Sequence, residues 1–218
     1  MQYYLEKISY YIDLLPALVF LLFIFKIKEK PIWVIFIYCL YSFINNYIIL
    51  EEVKKNETLN LLLYLFTLLE FLLFSTILYF IIISNAVRRI IFIVSILASV
   101  IYTYFIATHK LTGFDSVPTS VECTLVIAFC LYYFYEQLTS PAVEFIYNSY
   151  KFWVIVGLLL YLAGAFFLFV FAADLSSVER AKYWPILYVC GIIRNILFAI
   201  AVYLSTRPQD EEPYQSLI

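Results

Sequence analysis

Long unbroken runs of apolar residues, separated by short charged clusters, are the dominant pattern of this chain. The runs are apolar on all sides rather than striped along one helical face, which marks helices solvated by lipid. The pattern predicts an all-α, polytopic transmembrane helical bundle of about seven spans. They fall at approximately residues 11–25, 31–50, 59–84, 90–107, 120–135, 152–173 and 184–204. Residues 1–206 thus form the bundle, and residues 207–218 a polar, acidic tail. Each run approaches or meets the roughly 20 residues needed to cross about 30 Å of hydrocarbon. The first and fifth are shortest, and the count becomes six if one of them fails to cross.

Charged clusters and start signals set these boundaries. Lys26, Lys28, Glu29 and Lys30 close the first run, and Pro31 opens the second, where its missing N–H costs nothing. Glu51, Glu52, Lys54 and Lys55 follow the second, Arg88 and Arg89 the third, and His109 and Lys110 the fourth. Residues 111–118 read as the clearest extended loop, and residues 136–150 are mixed, with room for a short interfacial turn. Thr119 to Glu122 and Ser176 to Glu179 have the form of capping boxes before the fifth and seventh spans. Trp33, Trp153, Tyr183 and Trp184 suit interfacial anchors. Asn56-Glu57-Thr58 matches a glycosylation triplet but reads better as a polar helix start. Glu6 beside Lys7 replaces the basic region of a secretory leader, so the first run is expected to be retained. The basic cluster after the first helix favours an outside N-terminus and a cytoplasmic tail in the cell membrane.

Composition agrees with lipid as the solvent. Of 218 residues, 65% are hydrophobic and 14% charged, against roughly 45–50% and 25% in soluble domains. The formal charge of −2 and the scattered Lys and Arg leave no nucleic-acid footprint. Cys39, Cys123, Cys130 and Cys190 lie within apolar runs without zinc-like spacing and read as small core residues. His109 is the single histidine, so multi-histidine metal sites are excluded, and no cofactor is implied. No motif for nucleophilic, metal-assisted or phosphate chemistry is present, so an enzyme is not expected.

Candidate chemistry lies in the few polar residues inside the runs. An ionisable group there is costly and normally faces the bundle interior. Glu70 and Arg194 lie about ten residues into helices that start on the same side, hence roughly 15 Å deep. An ion pair between them is geometrically possible. Tyr38, Tyr41, Ser42, Asn45 and Asn46 share one broad face of the second span. Asp13 and Glu122 would stand at a shallower depth. Together these groups could line a cavity with Glu70 and Arg194 at its floor. Structural readings stand beside this one. Glu70 and Arg194 suit a pair that fixes packing, and Asn45 and Asn46 suit interhelical hydrogen bonds. Glu122 suits the third position of its capping box, and Asp13 an interfacial residue. Gly157 and Gly164, a heptad apart, suit close helix approach.

Leu68 to Phe74, the segment from Phe152 through Gly157, Tyr161 and Gly164 to Phe169, and Ile192 to Ile196 resemble a group of small, uncharacterised seven-span bacterial membrane proteins. The resemblance implies a helical bundle in the membrane and no particular activity. A looser architectural likeness is to the seven-helix sensory modules of bacterial receptors. Three functions remain open. One is a sensory or accessory component that binds a small ligand in the polar cavity and passes helix movement to a membrane or cytoplasmic partner. Another is a small-solute or proton-coupled transporter using Glu70. The third is a structural membrane subunit without ligand. All three place the chain in contact with the lipid bilayer.

Overall fold

A computed structural model of the protein describes residues 2–52, 59–108, 116–139, 146–171, 176, 179 and 182–207. Its elements are helical throughout these residues: α1 (Gln2–Ile12), α2 (Leu14–Phe23), α3 (Lys30–Glu52), α4 (Leu59–Ile81), α5 (Asn85–Thr108), α6 (Ser116–Thr139), a 3₁₀ turn (Ile146–Asn148), α7 (Tyr150–Phe171) and α8 (Pro185–Leu204). Six of them, α3 to α8, are long and apolar enough to cross a membrane. The protein is therefore a multi-pass membrane protein built as an all-α bundle. The polar helix start expected at residues 56–58, the His109–Lys110 pair and the tail from residue 208 lie outside the described residues.

The bundle is a closed ring. Going round it, α2 packs on α3, α3 on α4, α4 on α6, α6 on α7, α7 on α8, and α8 back on α1 and α2. Helix α5 docks on α4 from outside the ring. Its outward face carries Phe92, Ile93, Leu97, Val100 and Ile101, all exposed, as befits a helix solvated by acyl chains. Inside the ring, Ile35, Phe74, Ile77, Leu78, Val154, Ile155 and Phe198 are fully buried. Phe20 of α2 stacks on Phe36 of α3 with centroids 4.3 Å apart and meets Trp33 edge-on at 4.8 Å.

The first helix differs from the expected span at residues 11–25. It begins at Gln2 and is interrupted at Asp13 rather than starting near it. Pro16 explains the interruption. It has no N–H for the Ile12 carbonyl, and its ring crowds that oxygen, so the ladder opens one turn upstream. Asp13 keeps helical dihedrals (φ −58°, ψ −28°), makes no side-chain cap and points inward. The polar text of α1 hid its helical character, because Glu6 is engaged locally by Ser9 at its carbonyl and Tyr10 at its carboxylate.

Helix α6 also starts earlier than the expected residue 120, so Thr119–Glu122 lies within the helix and does not act as its capping box. The second box forms: the Glu179 carboxylate accepts from the Ser176 backbone N–H and hydroxyl, while Ser176 Oγ accepts from the Glu179 N–H. The Ser176 hydroxyl and then its backbone N–H hold the Glu179 carboxyl below the ordinary range.

Close approach of α7 and α8 depends on small residues. A Cβ on Gly164 would stand 2.4 Å from Cys190 Sγ, and one on Gly157 would stand 3.3 Å from the Phe198 ring. The end of the bundle at which α3 begins is tied by two acids. Glu29 accepts from the Tyr150 hydroxyl at 2.8 Å, and Glu136 accepts from the backbone N–H groups of Ile83 and Ser84 at 2.9 and 2.8 Å. Lys26, Lys28, Lys30, Arg88, Arg89, Lys151 and Arg207 are at this same end.

Candidate functional site

Each of the six ring positions contributes a polar or ionisable side chain to one interior region: Asp13, Tyr38 from α3, Glu70 from α4, Glu122 from α6, Tyr161 from α7 and Arg194 from α8. Asp13, Glu70, Glu122 and Arg194 are all more than nine-tenths buried.

Arg194 is the hub. One guanidinium nitrogen lies 3.2 Å from Asp13, and the other donates to the Tyr38 hydroxyl and lies 3.6 Å from Glu70. Its planar head is held between the rings of Tyr161 and Tyr38, at 4.2 and 4.9 Å from their centroids. Stacking and a fixed fork of donors suit arginine and not lysine. Tyr38 relays the network, accepting from Arg194 and donating to Glu70 at 2.7 Å.

Asp13 is saturated. Its Oδ1 accepts from Arg194 and from Asn195 Nδ2 at 2.5 Å, and its Oδ2 accepts from Ser42 at 2.9 Å and from Asn46 Nδ2 at 3.0 Å. An ionised carboxylate has about four such acceptor positions, so this ion is completely solvated by protein. Such satisfaction is what allows a charge pair to persist inside the bilayer.

Next to this cluster lies a cavity of about 180 Å³. Glu70, Tyr161, Asn45, Asn46 and Glu122 supply its principal polar walls, and Phe66, Leu162, Phe169 and Trp184 are among its apolar ones. The cavity lies between the cluster and the end of the bundle at which α3 finishes and α4, α6 and α8 begin. Among the described residues, both Glu122 carboxylate oxygens and the Asn45 amide nitrogen are buried without a hydrogen-bond partner. Unpaired buried polar atoms are rare in folded proteins, because each forfeits its hydration without replacement.

The sequence candidates separate into groups. Glu70 and Arg194 meet, as their equal depth permits. Asp13 belongs with them at mid-helix and not at the shallow level expected, since α1 adds three turns above it. Asn46 binds Asp13, while Asn45 faces the cavity. Glu122 is a cavity wall and not a helix cap. Tyr41 stays outside, half-buried and stacked on Phe66 with centroids 5.7 Å apart. Among the described residues, no group of three or more His, Cys, Asp or Glu could hold a metal.

Tyr161 and Asn195 complete the cluster from outside the sequence candidates. A tyrosine deep in an apolar helix must place its hydroxyl somewhere, and that was the available signal for Tyr161. Asn195 adjoins Arg194 but reaches the same carboxylate, which residue spacing alone does not reveal. No protein-family model, curated protein or solved structure matches the chain.

Proposed function

We propose that this protein is a sensory or accessory component of the cell membrane that binds a small ligand in its intramembrane cavity. The observation that carries the reading is the cavity wall with unpartnered Glu122 and Asn45, set directly against the rigid Arg194 cluster. A ligand satisfying those atoms would touch Glu70 and Tyr161, and through them groups on α2, α3, α7 and α8. Occupancy would thereby bias how the ring helices pack, which is how a bundle passes a signal to a partner. In this reading the broken first helix is a seventh span, so residues 2 and 207 lie on opposite sides of the membrane. The basic end of the bundle then faces the cytoplasm, and the cavity lies towards the outside. The family resemblance and the likeness to sensory seven-helix modules fit this setting. The reading involves binding without catalysis.

Native mass spectrometry of the gently extracted protein tests it. A retained small molecule that is lost from a cavity variant such as Ala165→Phe supports the reading. Repeated spectra with neither ligand nor partner would remove it.

A proton-coupled carrier using Glu70 is the second reading, favoured by the position of Glu70 between cavity and Arg194. Against it stands the half of the ring beyond the cluster, filled by Phe74, Ile77, Leu78, Val154, Ile155 and Phe198. A carrier would have to open that packed half in each cycle. Uptake into liposomes that depends on pH and disappears with Glu70→Gln would favour the carrier over the sensor.

A further inference from the structure

The charges buried inside the ring do not balance. Among the described residues that are more than nine-tenths buried, Asp13, Glu70 and Glu122 are acidic, and Arg194 alone is basic. Arg194 does not line the cavity, and its two terminal nitrogens are engaged by Asp13, Tyr38 and Glu70. Asp13 has its full set of donors, and Glu70 has Tyr38. Glu122 has none. A proton on Glu122 would remove its charge but leave an O–H donor and a carbonyl acceptor both unpaired. A cation in the cavity removes the charge imbalance, and it pairs the carboxylate once the Glu122 side chain turns its oxygens, which lie behind the cavity surface, toward it.

On the premise that the cavity is a ligand site, we infer that it takes a small organic cation, with the ammonium group on Glu122. The walls distinguish this class from an inorganic ion. Sodium or potassium needs a shell of oxygens, whereas four aromatic residues, Phe66, Tyr161, Phe169 and Trp184, are among the lining residues here. Aromatic walls with one counter-ion are the recurring way proteins hold ammonium groups. Asn45 can present its amide oxygen to the same ammonium after a half-turn about its terminal bond. The volume sets the size. A cavity of about 150 Å³ accepts benzene, so the roughly 180 Å³ found here suits one ring with a short aminoalkyl arm. Glu70, at the cavity floor, adds attraction at longer range and keeps anions out.

The test uses the full chain in nanodiscs and three probes of one shape: benzylammonium, benzyl alcohol and benzoate, titrated at constant ionic strength. We expect saturable binding and a rise in Tm with benzylammonium, and affinities lower by about tenfold or more for the other two. Glu122→Gln should abolish that preference, and Glu122→Asp should keep it. Equal affinity for benzyl alcohol overturns the cationic assignment while leaving a ligand site in place. Failure of benzylammonium to bind also overturns it, and native spectra of the same sample then decide whether the ligand reading survives. Should Glu122→Gln fail to fold, the three-probe comparison on the unaltered protein decides alone.

Discussion

Among the described residues, Asp13 and Arg194 form the closest buried ion pair, and neighbouring donors fill the remaining acceptor positions of Asp13. Removing one partner strands the other in a region without water. We expect Asp13→Asn or Arg194→Leu to destabilise the solubilised protein by about 3–5 kcal/mol. The double variant should recover part of that loss, with a coupling of about 1–3 kcal/mol. Denaturant unfolding in mixed micelles measures both quantities, and strictly additive losses would contradict the contact. The Glu70–Arg194 coupling should be smaller, because the pair is separated by 3.6 Å and shares Tyr38 as intermediary. Tyr38→Phe removes only the relay hydroxyl. It leaves an Arg194 donor and a Glu70 acceptor short of a partner, so a cost of about 1–3 kcal/mol is expected in the same assay.

The elements are joined by features that can be tested one interface at a time. A Gly164→Ala change drives a methyl group into Cys190 Sγ, 2.4 Å away. We expect Gly164→Ala to lower Tm and Cys190→Ala to restore most of the loss, whereas Cys190→Ala alone should be mild. Equal damage by Gly164→Ala in both backgrounds would show that α7 and α8 do not meet there. At the other end of the bundle, Glu136→Gln keeps one acceptor oxygen for the turn between α4 and α5 where the carboxylate supplied two. A loss of about 1–2 kcal/mol should follow, seen as faster amide exchange at Ile83 and Ser84. Pro16 shapes the first helix in the opposite sense to propensity. Pro16→Ala would close the ladder to Ile12 and improve the local helix, yet we expect lower overall stability, because straightening swings Asp13 away from Arg194.

At the scale of the whole molecule, much of the architecture was legible because lipid demands uniform apolar runs. The helices at 30–52, 150–171 and 185–204 lie close to where the runs and Pro31 placed them. Glu70 and Arg194 were legible for the same reason, since a charge in such a run has nowhere to go but inward. The first helix was not, because Glu6, Lys7 and Ser9 made its opening turns look aqueous when their polar atoms are in fact paired within the helix or lie at its exposed side. The placement of Glu122 was hidden by a four-residue pattern shared by caps and by ordinary helix interiors. Ring order was invisible, because which helices touch depends on packing that no single helix records. Topology has its own check. Cysteine introduced at Lys28 should react with an impermeant maleimide only from the cytoplasmic side, and labelling from outside would invert the orientation proposed.

The contact between Arg194 and Asp13 joins residues 181 positions apart, and it has a consequence for biogenesis. At about 5–20 residues per second of synthesis, the aspartate enters the membrane on the order of ten to forty seconds before its guanidinium exists. During that interval the first helix is a poor occupant of bare lipid. Until then Ser42 and Asn46 of α3 are the donors available to Asp13, and the ring can shut only once the helix bearing Arg194 has been made.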